Sequence, residues 1–177
     1  MVQGKHELLM ESLTNFYNSN SEYNIGILKT IVEQRSVLSL RLFDWFITNY
    51  SKNNNIHYSI SENLFNVHID YKNQLRAFSK KQFDPFCRRE RIWLVLDPKT
   101  SKILEYSKIK PDNVEPTLVS TVGQLNFFRW AIKFNVASYI LKHHEDIEKD
   151  MTDCNKNKKV KKNYTVVKNE VSGVLKW

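Results

Sequence analysis

Apolar residues recur at helical spacing in Leu8, Leu9, Leu13 and Phe16, so residues 5–17 are expected to form a short helix before the polar break NSNSEYN. A second apolar region, Ile25 to Ile31, leads into Val37–Tyr50, where apolar side chains cover nearly every face except a stripe of Arg41, Asp44 and Thr48. The i, i+3, i+7 spacing puts that stripe on one side of a buried central helix. Arg41 and Asp44 are placed to pair there, while Leu38, Leu42, Trp45 and Phe46 enter a core.

After the turn SKNNN the period changes from helical to alternating. Residues 56–60 and 64–70 read as a hairpin, with Tyr58 and Ile60 on one face of the first strand and Phe65, Val67 and Ile69 on one face of the second. A short helical piece at 71–79 follows, and then the segment KKQFDPFCRRER. IWLVLD at 92–97 reads as a buried strand, Asp97-Pro98-Lys99-Thr100 as a turn and 102–109 as the returning strand, with Pro111 and Pro116 bracketing a loop.

Thr121 and Gln124 match a capping box that opens a helix over 122–134, with Leu125, Phe128 and Ile132 inward and Asn126, Arg129 and Lys133 outward. A second helix at 137–151 completes a helical hairpin. The pattern predicts a single-domain α+β fold over 1–151, a small antiparallel sheet from the 56–109 strands packed by several helices. A Lys/Asn-rich basic C-terminal tail spans 152–177, with a possible docking strand at 164–168.

Charge changes this picture because it is not spread evenly. The 177 residues carry 27 Lys plus Arg against 19 Asp plus Glu, a formal +8. Residues 76–91 hold Arg76, Lys80, Lys81, Arg88, Arg89 and Arg91 against Asp84 and Glu90, and the tail is lysine-rich, so the rest of the chain is close to neutral. Concentrated cations suit a phosphate backbone, since each neutralised phosphate releases a counterion. Phe78, Phe83 and Phe86 interleave the first segment, and aromatics of this kind can stack on unpaired bases. The expected nucleic-acid-binding residues are Arg76, Lys80, Lys81, Phe83, Phe86, Arg88, Arg89 and Arg91, with Lys158, Lys159, Lys161 and Lys162 of the tail. The partner is DNA or RNA.

Candidate chemistry narrows rather than widens the reading. The four glycines, at 4, 26, 123 and 173, cannot form a phosphate-cradling glycine loop. Cys87 and Cys154 are too far apart for a zinc half-site and read as reduced thiols of an intracellular protein. Cys87 beside two arginines is a candidate for a depressed thiol pKa. Asp84 near Arg88 and Arg89 suits a loop-locking ion pair better than a base. His143, His144, Glu145, Asp146, Glu148 and Asp150 have the composition of a metal patch, but also that of an exposed helix face, which is the reading adopted. No catalytic residue, metal site or cofactor is assigned, and no apolar run reaches the length of a membrane span. The expected class is non-enzymatic.

Three stretches carry a resemblance: SLRLFDWFITNYSKNNNI at 39–56, FNVHIDYKNQLRAFSKKQFDPFCRRERI at 65–92 and TVGQLNFFRWAIKFNVASYI at 121–140. Together they resemble a family of small basic proteins of nucleocytoplasmic large DNA viruses, the mimivirus-like and phycodnavirus-like giant viruses, with KKQFDPFCRRER and GQLNFFRWA the most specific runs. The resemblance implies a viral accessory protein in the host cytoplasm or nucleus or the viral factory, or packaged in the virion. It implies no reaction. The alternative to nucleic-acid binding is contact with other viral structural proteins, as a minor component of the virion.

Overall fold

The computed structural model describes residues 4–34 and 36–157. Two N-terminal helices, α1 (Lys5–Ser19) and α2 (Ser21–Val32), bury Met10, Leu13 and Tyr17 from the first and Ile25, Leu28 and Ile31 from the second. The Tyr17 hydroxyl donates to the Leu125 carbonyl at 2.7 Å, tying α1 to the centre of the molecule. The expected central helix starts later than Val37, at α3 (Leu40–Trp45), because Ser39 caps it by accepting from the Leu42 amide. It then widens into a π-helical stretch, Phe46–Tyr50, before a last turn, α4 (Ser51–Asn53). The Ile47 carbonyl in that stretch accepts from the Ser51 hydroxyl at 3.0 Å and from His68 Nδ1 at 3.1 Å.

The hairpin forms, but its second strand is shorter than expected. Strands β1 (His57–Ile60) and β2 (Asn63–Asn66) pair antiparallel with Tyr58 opposite Phe65, whereas Val67 already opens α5 (Val67–Gln82). Asn66 accepts from the Ile69 amide at 3.0 Å and Asp70 sits in the first turn. A side-chain cap and an acid at a helix N-terminus override the alternation of apolar residues there.

The strands do not share one sheet. In the second sheet β3 (Arg91–Leu96) lies between β4 (Ile103–Ser107) and β5 (Thr117–Thr121), all antiparallel. The expected strand at 102–109 is β4, while β5 follows directly on Pro116, in a stretch not anticipated as a strand. The hairpin instead stacks the Phe65 ring on Phe134, with centroids 4.9 Å apart, and approaches Trp130 at 6.3 Å.

Helix α6 (Val122–Lys133) starts where expected, with the Thr121 hydroxyl accepting from the Gln124 amide at 3.1 Å, but the capping box is only half formed because the Gln124 side chain bonds to Pro85 and Ser120 instead. It is the axis of the fold. Leu125, Phe127, Phe128, Trp130 and Ala131 are buried, and so are Gln124 and Asn126. Asn126 was expected to face outward; its amide is instead consumed by main-chain and guanidinium partners. Asn135, at φ 56°, turns the chain into α7 (Val136–Lys142), and His143 separates α7 from further helix over 144–157. The helix anticipated at 137–151 is therefore two pieces. The result is a single α+β domain. The docking strand expected at 164–168 and Lys158, Lys159, Lys161 and Lys162 lie outside the described residues.

Candidate nucleic-acid interface

The basic segment is held from beneath by buried amides. Ser79 interrupts α5 at φ 59°, ψ 167°, a region that only glycine adopts without strain. The chain beyond it crosses the start of α6 so closely that a Cβ on Gly123 would lie 3.0 Å from the Lys81 carbonyl oxygen. The Asp84 amide donates to the Gly123 carbonyl at 3.2 Å. Gln124 Nε2 donates to the Pro85 carbonyl at 2.9 Å while its Oε1 accepts from the Ser120 hydroxyl at 2.8 Å. Asn126 Nδ2 donates to the Gln82 carbonyl at 2.8 Å. Buried polar groups are stable only when bonded, so Gln124 and Asn126 specify one path for 82–85.

Phe83 completes this anchorage. It is 1% exposed and packs among Tyr71, Phe78, Phe127 and Trp130, at centroid distances of 5.2 to 6.5 Å. The expectation that Phe83 offers a ring for stacking is corrected: burial of that ring fixes the segment, and the ring itself does not reach the surface. Phe86 is half-buried, with the Arg88 guanidinium 4.6 Å from its centroid.

All six cations of the segment are exposed, and three of them meet. Lys80, Arg88 and Arg89 line a cleft of about 520 Å³ with Asp44, Thr48, Tyr71, Leu75 and Asp84. Asp84 forms the expected lock with Arg88, accepting from Nε at 3.1 Å and from an outer guanidinium nitrogen at 2.9 Å. Hydrogen bonding to Asp84 raises the Arg88 pKa. Asp44 is pushed up chiefly by burial, with Arg88 opposing and Asp84 adding to the rise. The cation acting on Asp44 is therefore Arg88 and not the Arg41 of its own stripe. Burial likewise raises Tyr71, helped by Asp44 and Asp84. Arg76 stands on α5 outside the cleft, and Arg91 opens β3 beside Cys87. Burial raises the Cys87 thiol more than Arg91 lowers it, so the depressed pKa expected there is corrected in direction.

The other candidates have ordinary partners. The His143 ring stacks on Tyr139 at 4.4 Å, and His144 Nδ1 donates to the Leu141 carbonyl at 2.9 Å. Among the described residues no group of three or more His, Cys, Asp or Glu is placed to hold a metal ion, and no helix is long and apolar enough to cross a membrane. Asp44, Thr48 and Tyr71 were not anticipated as cleft residues. The signal for the first two was present: they are the polar stripe on an otherwise apolar helix.

The two runs singled out as most specific, KKQFDPFCRRER and GQLNFFRWA, are the ones bonded to each other through Gly123, Gln124 and Asn126. No solved structure matches the chain. It is 37% identical over 159 residues, 87% of its length, to the uncharacterized protein L507 of Acanthamoeba polyphaga mimivirus, and spans 56% of the length of that relative. The likeness to giant-virus proteins read from the sequence is thereby borne out. Residues 2–174 match a family of unknown function, DUF7197, and the chain belongs to that family.

Proposed function

We propose that the protein is a non-enzymatic viral accessory protein that binds nucleic acid through phosphate contacts of the 76–91 segment. The observation that carries this reading is the convergence of Lys80, Arg88 and Arg89 on one cleft, in a segment whose path is set by buried hydrogen bonds. A main chain already fixed at 82–85 loses less entropy on meeting a phosphate backbone than a mobile one. Arg88 is committed to Asp84, so Lys80 and Arg89 are the phosphate ligands at the cleft, with Arg76, Lys81 and Arg91 extending the contact. Titration of the full chain against a labelled oligonucleotide at several salt concentrations tests it. The affinity should fall linearly with salt on a double-logarithmic scale, by about 0.7 to 0.9 in slope per phosphate neutralised. An affinity equal at low and physiological salt rejects it.

A second reading, contact with another virion protein, rests on the Arg88 guanidinium stacked over Phe86, since arginine with an aromatic ring is the composition of interface hot spots. Retention with capsid components, without retention on immobilised nucleic acid, would favour it.

A further inference from the structure

A second cleft of about 520 Å³ opens between α1, α5 and α6. Its chemistry differs from that of the cleft at Asp84. It is lined by the cations Arg129 and Lys133 and the rings of Phe16, Phe78, Trp130 and Phe134, with no carboxylate in the wall. Arg129, expected to face solvent, is half-buried. It donates to the Ser12 hydroxyl at 2.9 Å and to Asn126 Oδ1 at 2.6 Å, both neutral acceptors. Among the described residues no carboxylate lies within ion-pair distance of it. The Asp70 carboxylate behind the wall is taken by Trp130 Nε1 at 2.6 Å and Gln74 at 3.4 Å.

A half-buried guanidinium without a counter-ion is less favourable than a paired one, and its two neutral bonds leave other donors of the guanidinium fork free. An anion entering the cleft would meet those free donors. Lys133 is exposed at the mouth, its Nζ 5.3 Å from the Phe134 centroid, where it can supply a second positive contact. The half-buried rings of Phe78 and Phe134 give flat apolar surface beside the two cations. The volume falls in the range of about 300–1,000 Å³ common for small-molecule sites.

We propose that this cleft binds a nucleotide, its phosphate on Arg129 and Lys133 and its base against the aromatic wall. The nucleotide is either free or one unit of a strand. The site is separate from the cleft at Asp84 and stands whether or not that cleft meets nucleic acid. The test is titration of the full chain with adenosine and uridine monophosphates, and in parallel with a short single-stranded oligonucleotide, following amide shifts or heat. Binding should be saturable and should weaken about tenfold in Lys133→Gln, the scale of one charge-assisted hydrogen bond. It should weaken further in Arg129→Gln. Lys133 is exposed, so its variant keeps the fold even if Arg129→Gln does not. Lys133-dependent binding of a monophosphate identifies a free nucleotide, and Lys133-dependent binding of the oligonucleotide alone identifies a strand. If neither probe binds in a way that Lys133→Gln weakens, the proposal is wrong.

Discussion

Asp44 shows how one side chain reports on the cleft around it. Folding raises its pKa, so the folded chain holds the proton more tightly than the unfolded chain does. Its contribution to stability is present below the ordinary carboxylate range and is lost as the pH rises through the raised value. Asp44→Asn is therefore expected to melt at a higher temperature than the parent at neutral pH. The difference should vanish in acid, and calorimetry across that pH range checks the sign. Ser79 is the other informative residue. Its backbone at φ 59°, ψ 167° costs about 1–3 kcal/mol for a side-chain-bearing residue. Ser79→Gly should raise stability in urea unfolding by about 1 kcal/mol, the strain relieved less the entropic penalty of glycine. Equal or lower stability would mean that the surrounding bonds already absorb the strain.

At the scale of elements, the segment 82–85 and the first turn of α6 act as one unit. Gln124→Ala would leave the Pro85 carbonyl and the Ser120 hydroxyl without their partner, at about 1–3 kcal/mol for each group left unpaired. Loss of stability in denaturant, with faster hydrogen exchange at the Asp84 amide, is the expected outcome. Part of this arrangement was legible in the sequence. The N-cap at Thr121, the Asp84–Arg88 lock and the strand at 92–97 follow from local chemistry alone. The burial of Phe83 and Asn126 does not, because a residue between cations or on the polar face of a helix is indistinguishable from an exposed one until its tertiary partner is known. The early start of α5 was encoded in Asn66 and Asp70, two residues that compete with the alternating Phe65, Val67 and Ile69. Helix capping won over strand pairing because the Asn66 side chain accepts from the Ile69 amide and Asp70 sits in the first turn of α5. The half-burial of Arg129 has a related cause: α6 is enclosed so widely that its polar stripe lines a cleft instead of facing bulk solvent.

For the molecule as a whole, a formal charge of +8 resolves into a nearly neutral body and two basic stretches, of which 76–91 lies within the described residues. Within it the cations are not equivalent. Arg88 holds Asp84, while Lys80 and Arg89 share the cleft and are exposed. Long-range attraction to a polyanion should therefore survive loss of Arg88 as a ligand but depend on the other two. The decisive measurement is the salt dependence of oligonucleotide affinity for the full chain and for Lys80→Ala/Arg89→Ala, both checked for an unchanged fold. Loss of two phosphate contacts should flatten the double-logarithmic slope by about 1.4 to 1.8. A variant whose slope and affinity equal those of the parent would contradict the assignment of this segment as the nucleic-acid interface.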